Sequence, residues 1–247
     1  MSAGAATGVV VTGAAQGLGK AIATRFLEAG HAVVGIDVNP SLTEVVGEAD
    51  AFVGDAGEVD LLRAALDRAA ERGAGVGSVV FNAGVTSPGD SVDYALDQWD
   101  RVVDVNLRSV FVGARTARPY LSAGGSMVML SSIAASEGFG ARASYCASKA
   151  GVDGLVRSLA TEWGPDGIRV NAVAPGTFET EMQQAMVASG RVSVERYLDR
   201  IPMNRIGRPH EIADAVYFLA SPQASYISGV ILPVDGGWAG GGLPAIA

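Results

Sequence analysis

Short runs rich in valine and isoleucine alternate with longer amphipathic stretches along the chain. The apolar runs cover residues 7–13, 31–37, 50–55, 78–84, 126–132, 168–176 and 230–237. They are nearly continuously apolar, as expected for parallel strands that are covered on both faces. Between them, apolar residues recur at helical spacing over residues 17–30, 58–73, 96–121, 143–164 and 208–221. The alternation predicts an α/β fold of the Rossmann type, a doubly wound parallel sheet of about seven strands with helices on both faces.

The chain shows no repeat, no low-complexity linker and no break in composition. A length of 247 residues fits one large α/β domain, and we expect a single Rossmann-type domain over residues 1–247. One long excursion, residues 177–207, separates a predicted strand from a predicted helix. Such an insertion at the carboxyl edge of a parallel sheet is typical of a substrate lid.

Composition and charge exclude several kinds of partner. Hydrophobic residues make up 49% of the chain, which suits a sizeable core. The net charge is −8, whereas nucleic-acid binding requires a basic surface. No apolar run reaches the roughly 18 to 20 residues of a membrane span, and we identify no signal peptide. We therefore expect a cytoplasmic protein that contacts neither nucleic acid nor membrane.

The cysteine and histidine content argues in the same direction. Cys146 is the only cysteine, so no internal disulfide can form and a reducing compartment fits. The two histidines, His31 and His210, are far apart and have no cysteines or paired carboxylates at ligand spacing. We expect no metal site.

A glycine-rich segment, TGAAQGLG at residues 12–19, follows the first predicted strand and opens the first predicted helix. Its glycines, Gly13, Gly17 and Gly19, permit a tight turn and a close approach of the backbone to a pyrophosphate. The helix N-terminus adds unpaired N–H groups and a positive dipole end. The segment is therefore a candidate dinucleotide-binding turn.

The second predicted strand ends at Asp37, about 20 residues further on, where a carboxylate accepts hydrogen bonds from the adenosine ribose. The same carboxylate would repel the 2′-phosphate of NADP. The residues close enough to Asp37 to offset that repulsion are Ala14, Ala15, Gln16 and Val38, and none is basic. We therefore predict NAD(H) as the cofactor.

A tyrosine and a lysine one helical turn apart form the second candidate site. The chain has only two lysines, Lys20 and Lys149, and Lys149 follows Tyr145 by four residues. On a helix these two side chains share one face. An ammonium beside a phenol favours the phenolate and lowers the tyrosine pKa from its usual value of about 10, which would make Tyr145 a general acid/base. Taken alone, an incidental exposed pair is an alternative reading of the motif.

Together these motifs resemble the short-chain dehydrogenase/reductase family, in its subgroup of single-domain enzymes. The resemblance extends from Thr12 to Gly237 and rests on seven motifs in the expected order. They are TGAAQGLG (12–19), Asp55 in VGDAG, NAG (82–84), Asn106 in DVNL, Ser132 with Tyr145 and Lys149 in S-x12-Y-x3-K, PGTFET (175–180), and VDGG (234–237).

The resemblance implies four catalytic residues. Tyr145 would be the acid/base. Lys149 would lower the pKa of Tyr145 and bind the nicotinamide ribose, and Ser132 would polarise the substrate oxygen. Asn106 would hold a water that links Lys149 to solvent, and it would also be a kink residue of its helix.

The resemblance also implies the cofactor contacts. Asp55 and the backbone of Ala56 would hold the adenine ring, and PGTFET would clamp the nicotinamide carboxamide, although Thr180 is equally a candidate helix N-cap. The expected cofactor-binding residues are Gly13, Gln16, Gly17, Leu18, Gly19, Asp37, Asp55, Ala56, Asn82, Ala83, Gly84, Tyr145, Lys149, Pro175, Gly176, Phe178 and Thr180.

The function that this resemblance implies is an NAD(H)-dependent oxidoreductase interconverting a secondary alcohol and a ketone. A 3-oxoacyl-carrier-protein reductase using NADPH is the closest alternative. That branch presents arginines to its acidic carrier where this chain has Ala123 and Asp166, and the acidity of the chain opposes such docking.

The Tyr-x-x-x-Lys spacing disfavours the enoyl-reductase branch. A non-catalytic NAD(H)-binding regulator is an alternative from another class, and the intact catalytic set argues against it. The resemblance further implies a homotetramer, or a homodimer, built through helices 96–121 and 143–164 and the last strand.

Overall fold

The computed structural model describes residues 7–188 and 194–241. Residues 1–6 and 242–247 of the predicted domain, and 189–193 of the predicted lid, lie outside the described residues. The seven strands are β1 Gly8–Thr12, β2 Ala32–Asp37, β3 Ala51–Val53, β4 Val76–Phe81, β5 Ser126–Leu130, β6 Arg169–Pro175 and β7 Ile231–Val234.

The strands form one sheet in the order β3-β2-β1-β4-β5-β6-β7, and all neighbouring pairs are parallel. Each strand falls within or across a predicted apolar run, so the Rossmann-type prediction is confirmed. The chain moves outward from β1 to β3 and then returns to place β4 on the other side of β1. This change of direction leaves a crevice beyond the carboxyl ends of β1 and β4, where ligands of open α/β sheets bind.

Helices cover both faces of the sheet. The buried residues of α3, α5 and α6 pack on one face, and those of α1 and α9 pack on the other. The helices are α1 Gly17–Glu28, α2 Thr43–Val46, α3 Val59–Arg72, α4 Leu96–Val103, α5 Ser109–Ala117, α6 Ala143–Trp163, α7 Glu181–Ala188, α8 Val194–Leu198 and α9 Pro209–Ala220. All five predicted helical stretches are present, whereas α2, α7 and α8 are additions.

The predicted helix 96–121 was wrong as one continuous α-helix. A π-helical turn, Asp104–Arg108, separates α4 from α5, and a 3-10 turn, Arg118–Tyr120, follows α5. The extra residue of the π turn directs the fully buried Asn106 toward the end of β4, where its side chain bonds the backbone of Val85. Single π turns of this kind are frequent at functional sites.

The predicted lid leaves and rejoins the body of the protein at one point. Glu179 donates a backbone hydrogen bond to Gly207, and Gly207 donates one to Thr177, both at 3.0 Å. The Phe178 ring packs against Gly207, at a place where a Cβ would collide with the ring. This closed base carries α7 and α8. Within the described ranges, no helix is long and apolar enough to cross a membrane.

Candidate active site

A cleft of about 720 Å³ opens along the carboxyl edge of the sheet. Every predicted cofactor-binding residue lines it, and so does Ser132. Asn106 is the one predicted site residue that does not line the cleft. The fold therefore brings together motifs that are spread over more than 160 residues, because each motif follows the end of a parallel strand or begins the next helix.

The glycine-rich turn forms one end of the cleft. Gly13 has φ +66°, and a Cβ on Gly19 would collide with the Gly13 carbonyl, so both positions need glycine. Helix α1 begins at Gly17 without a side-chain cap and without an acidic residue in its first turn. Its first N–H groups are therefore suited to bind an anionic group of a dinucleotide.

Asn82 and Thr12 hold this turn in place. The Thr12 hydroxyl accepts hydrogen bonds from the backbone N–H groups of Asn82 and Ala83, both at 3.1 Å. The Asn82 side-chain amide donates to the carbonyls of Thr12 at 3.0 Å and Gly13 at 2.8 Å. Both amide protons of Asn82 are thus used inside the protein, so its side chain supports the turn.

Asp37 is fixed at the end of β2 by two backbone donors. Its carboxylate accepts from the N–H of Ala15 and from that of Asn39, each at 2.9 Å. The carboxylate therefore also braces the glycine-rich turn. The adjacent Val38 is 71% exposed and carries no charge toward the cleft. Further along, Asp55 accepts from Gly57 N at 2.8 Å.

Lys149 lies at the other end of the cleft, on α6. It is buried, and its ammonium donates a hydrogen bond of 2.7 Å to the carbonyl of Leu130. The ammonium stands 5.8 Å from the centre of the Tyr145 ring. Burial lowers the pKa of Lys149 to about 8, and the nearby Asp153 carboxylate acts in the opposite direction.

Tyr145 is half-buried in the cleft wall. Burial raises the pKa of its phenol above the usual value, while the Ser132 hydroxyl and the charge of Arg142 lower it. The predicted net lowering of the Tyr145 pKa is therefore wrong for the chain itself. The physical reason is burial, which removes the phenolate from water and outweighs the effects of Ser132 and Arg142.

The two adjacent serines after β5 face opposite ways. The Ser132 hydroxyl lines the cleft and accepts from Ala134 N at 3.1 Å, which caps a 3-10 turn over Ile133–Ala135. Ser131 is buried and donates to the Asp153 carboxylate at 2.5 Å. Of the two serines, only Ser132 is placed near the Tyr145 phenol.

Asn106 is a buried link between the π turn and the wall of the cleft. Its amide group donates to the Val85 carbonyl at 2.9 Å and to the Ser148 hydroxyl at 3.1 Å, and its oxygen accepts from Val85 N at 2.8 Å. An ideal Cβ on Gly84 would lie 3.3 Å from the Asn106 oxygen and 3.5 Å from the Lys149 ammonium. Gly84 thus leaves a gap between these two polar groups.

Two residues of PGTFET combine a place in the cleft wall with a structural contact. Thr180 accepts a hydrogen bond from Gln183 N at 3.2 Å and so caps α7, as the alternative reading predicted. Phe178 is 6% exposed, with its ring in the hydrophobic core.

Sequence reasoning missed the cleft-wall residues at the Tyr145 end that come from the segment 177–207 and from nearby loops. Phe139, Arg142 and Tyr197 line the cleft there, and Trp238 stacks on Phe139 with ring centres 5.8 Å apart. The side-chain amide nitrogen of Gln183 is also buried in this wall, with no hydrogen-bond partner among the described residues. Phe139, Arg142, Tyr197 and Gln183 follow no periodic pattern, so the sequence carried no signal for them.

Fold and cleft together define a Rossmann-fold oxidoreductase of the class that binds a nicotinamide dinucleotide. A family model described as enoyl-(acyl carrier protein) reductase matches residues 13–239. The chain belongs to the short-chain dehydrogenase/reductase family.

Curated relatives of similar length carry different activities. The chain is 35% identical to a 3-oxoacyl-[acyl-carrier-protein] reductase of Thermotoga maritima, over 92% of this chain and 96% of that protein. It is 38% identical to 3beta-hydroxysteroid dehydrogenase 1 of Eggerthella lenta, over 93% of this chain and 92% of that protein. The family is therefore shared, while the named substrates range from acyl thioesters to steroids.

Experimental structures agree with the fold. A ligand-free aldohexose dehydrogenase of Thermoplasma acidophilum superposes with a TM-score of 0.88 and 32% identity, covering 98% of this chain and 97% of that chain. A short-chain dehydrogenase of Burkholderia cenocepacia in complex with NADP gives a TM-score of 0.86 at 32% identity, covering 95% and 98%.

Proposed function

We propose that this chain is an NAD(H)-dependent oxidoreductase that interconverts a secondary alcohol and a ketone. The observation that carries the proposal is the placement of Ser132, Tyr145 and Lys149 in the same cleft as the glycine-rich turn and Asp37. The nicotinamide, when bound, supplies the hydride acceptor or donor. The chain supplies the proton, the orientation and the charge.

Tyr145 is the residue that exchanges the proton. In reduction, its phenol donates to the developing alkoxide, and its raised pKa keeps it protonated for that step. In oxidation, the phenolate accepts the hydroxyl proton of the alcohol, and the positive charges of Lys149 and of the oxidised nicotinamide favour that phenolate. Ser132 donates a hydrogen bond to the substrate oxygen in both directions.

Lys149 and Asn106 provide the route by which the proton reaches solvent. The gap left by Gly84 lies within hydrogen-bonding reach of the Lys149 ammonium and of the Asn106 oxygen, which keeps one lone pair after binding Val85 N. A water held there would relay protons from Lys149. Asn106 is then both the anchor of the π turn and a polar wall of this relay.

NAD(H) is the cofactor that the residues around Asp37 favour. Its carboxylate is held in place by Ala15 and Asn39 and would meet the 2′-phosphate of NADP as a like charge. Neither Gln16 nor the exposed Val38 offers a compensating cation. The same carboxylate is an acceptor for ribose hydroxyls.

A 3-oxoacyl-carrier-protein reductase is the second candidate, since the Thermotoga maritima relative has that name. Docking of an acidic carrier requires basic surface. In this chain Asp166 pairs with Arg118 at 2.6 Å, which offsets the charge of that arginine, and the net charge is −8. The charge distribution therefore favours a small free substrate.

We also propose that the chain works as a cytoplasmic homotetramer, or a homodimer, joined through the α4–α5 segment, α6 and β7. Phe111 on α5 is 44% exposed, and the sole cysteine, Cys146, is half-buried and unpaired. Light scattering on the purified chain tests the assembly. A monomer at micromolar concentration would contradict it.

A spectrophotometric substrate screen tests the activity. NADH and NADPH are followed with sugars, steroids, aryl ketones and 3-oxoacyl thioesters, with Tyr145→Phe run in parallel. Turnover with NAD(H) that is lost in Tyr145→Phe supports the proposal. Preference for NADPH with acyl thioesters would instead favour the carrier-protein reductase. NADH binding without any turnover would favour the regulator.

A further inference from the structure

The carboxyl end of β5 is fastened to α6 by two side chains that lie one helical turn apart. Lys149 donates to the carbonyl of Leu130 at 2.7 Å, and Ser131 donates to the Asp153 carboxylate at 2.5 Å. All three side chains in these contacts are more than nine-tenths buried. The next residue of the strand end is Ser132. The two ties therefore set where the Ser132 hydroxyl stands against α6.

Asp153 is a buried carboxylate that the reaction described above does not use. It is 8% exposed, in the middle of α6, where its buried neighbours are the apolar Val152 and Val156 and the charged Lys149. A buried charge is costly unless it is paired and hydrogen-bonded. A neutral acceptor would be enough to bind the Ser131 hydroxyl. The negative charge of a carboxylate at this place therefore requires a positive charge nearby.

Two cations flank Asp153 on α6: the exposed Arg157 lies one turn later, and Lys149, the buried one, lies one turn earlier. Burial raises the pKa of the Asp153 carboxyl, whereas the Ser131 hydrogen bond and the charges of Arg157 and Lys149 lower it. In return, the carboxylate opposes the effect of burial on Lys149. The pair thus favours charge on both residues inside the wall of the cleft.

Few other charged groups face this pair among the described residues. Arg157 is exposed one turn beyond Asp153, and Tyr145 and Arg142 lie toward the N-terminal end of α6. On β6, Arg169 directs its guanidinium to the last carbonyls of α9. The segment 96–108 packed against α6 carries only solvent-exposed charges, at Asp97, Asp100, Arg101, Asp104 and Arg108.

We propose that Asp153 is a positioning residue of the active site: its carboxylate is the counter-charge of Lys149 and, through Ser131, it fixes the strand end that carries Ser132. This inference has two halves. The electrostatic half is that Asp153 is the counter-charge of Lys149, and it concerns Lys149 alone. The catalytic half is that Asp153 positions the active site, and it rests on the proposed function. Asp153 touches neither substrate nor cofactor, and it acts through the two residues that do.

The electrostatic half is tested by a titration that needs no turnover. The chain has only two lysines, so protein labelled with carbon-13 at the lysine ε-carbon gives two lysine signals, and Lys20→Arg assigns them. Asp153→Asn keeps the shape and an acceptor for Ser131 but removes the charge. We expect the Lys149 signal to titrate about one pH unit lower than in the native chain.

An unchanged Lys149 titration overturns the proposal. Asp100→Asn, the same substitution at an exposed site, is the matched control and leaves the titration in place.

The catalytic half is tested by the pH profile of kcat. Removal of a nearby negative charge lowers the pKa of both members of the Tyr145–Lys149 pair, so both limbs of the profile move to lower pH in Asp153→Asn. Ser131→Ala removes the tie and leaves the carboxylate. It lowers kcat by about tenfold, with smaller movement of the limbs.

A merely structural Asp153 gives a different result. Asp153→Asn would then lower the melting temperature and leave the limbs where they are, which overturns the catalytic half. Melting curves and NADH binding confirm that each variant is folded. If the native chain turns over no substrate, the proposed function fails while the lysine titration still decides the electrostatic half.

Discussion

Lys149 donates its 2.7 Å hydrogen bond to the carbonyl of Leu130 and stands 5.8 Å from the centre of the Tyr145 ring. One buried cation therefore links the end of β5 to α6, the helix that carries Tyr145. Its pKa, lowered to about 8 by burial, puts its loss of charge within the working range of an enzyme. The charge of Lys149 should thus be visible in the pH dependence of the reaction.

Substitution of Lys149 by arginine separates charge from geometry. As pH rises past about 8, native Lys149 loses its proton, and with it the positive charge that favours the phenolate. We expect an alkaline decline in alcohol oxidation near that pH. The Lys149→Arg variant stays charged because a guanidinium group does not deprotonate, so its pH profile lacks this decline. Its kcat falls by about 10²-fold or more, because the planar guanidinium does not reproduce the contact of the ammonium. If the alkaline decline persists in Lys149→Arg, the group that titrates there is not Lys149.

The preference for NAD(H) is predicted to depend on two adjacent positions. In the native chain we expect NADPH to bind at least about 100-fold more weakly than NADH, since like charges brought together at a binding site cost several kcal/mol. Asp37→Ser with Val38→Arg replaces the carboxylate by a hydroxyl and adds a cation, and should reverse the order. NADH binding should also weaken, because Asp37 braces Ala15 and Asn39.

Fluorescence titrations with both cofactors measure these affinities. Val38→Arg alone is the control, because the retained carboxylate should keep the preference for NADH. Equal affinity of the native chain for the two cofactors would contradict the argument from Asp37.

Asn106 is predicted to contribute more to stability than an ordinary helix residue. Asn106→Ala removes three hydrogen bonds in a fully buried position and leaves both backbone groups of Val85 without their partner. We expect the free energy of unfolding to fall by about 2–4 kcal/mol, since each buried group left unsatisfied costs roughly 1–3 kcal/mol. Ser148→Ala removes one acceptor of Asn106 and should cost less. Urea unfolding followed by tryptophan fluorescence gives both values, and equal losses would argue against this account.

The strands and most of the cleft could be predicted because they depend on local pattern. A strand buried on both faces must be continuously apolar, as 126–132 and 168–176 are, and the motifs follow directly from strand ends. Parallel strands place those ends at one edge, so Asp37, Ser132 and Thr180 were expected together before any distance was known.

Features that depend on tertiary contacts could not be predicted in the same way. The π turn at Asp104–Arg108 adds one residue to a helical pattern that otherwise continues, and its Asn106 side chain makes long-range hydrogen bonds to the backbone of Val85. The direction of the Tyr145 pKa shift depends on how far the phenol is buried. That burial is not encoded in the Tyr-x-x-x-Lys spacing.

Glu211 is predicted to stabilise the start of α9 in a pH-dependent manner. Its carboxylate accepts from Arg208 N at 2.7 Å and from the Arg205 guanidinium at 2.5 and 2.9 Å, and these hydrogen bonds lower its pKa from 4.5 to about 2. A carboxyl whose folded pKa is depressed stabilises the fold above the unfolded value, and this contribution is lost as pH falls from about 4.5 toward 2.

The matching variant is Glu211→Gln. Because the Arg205–Glu211 pair is largely exposed, we expect a loss of only about 1 kcal/mol at pH 7. The difference from the native chain should shrink at pH 3.5. Melting curves at pH 7, 5 and 3.5 measure it, and a difference that is independent of pH would exclude the carboxylate as its source.

Glu181 is predicted to weaken cofactor binding in the native chain. Its carboxylate would lie 3.5 Å from a Cβ placed on Gly17, beside the uncapped start of α1 that is suited to a pyrophosphate. A carboxylate there competes with the phosphates for the same N–H groups and repels them. Because Glu181 is exposed, the penalty is modest, and Glu181→Gln should tighten NADH binding by about two- to fivefold at low salt.

The gain in NADH affinity should diminish at 0.5 M salt, since screening weakens interactions between exposed charges. Glu179→Gln, two residues away near the start of the segment 177–207, is the control. Unchanged or weaker NADH binding in Glu181→Gln would show that this carboxylate does not oppose the cofactor.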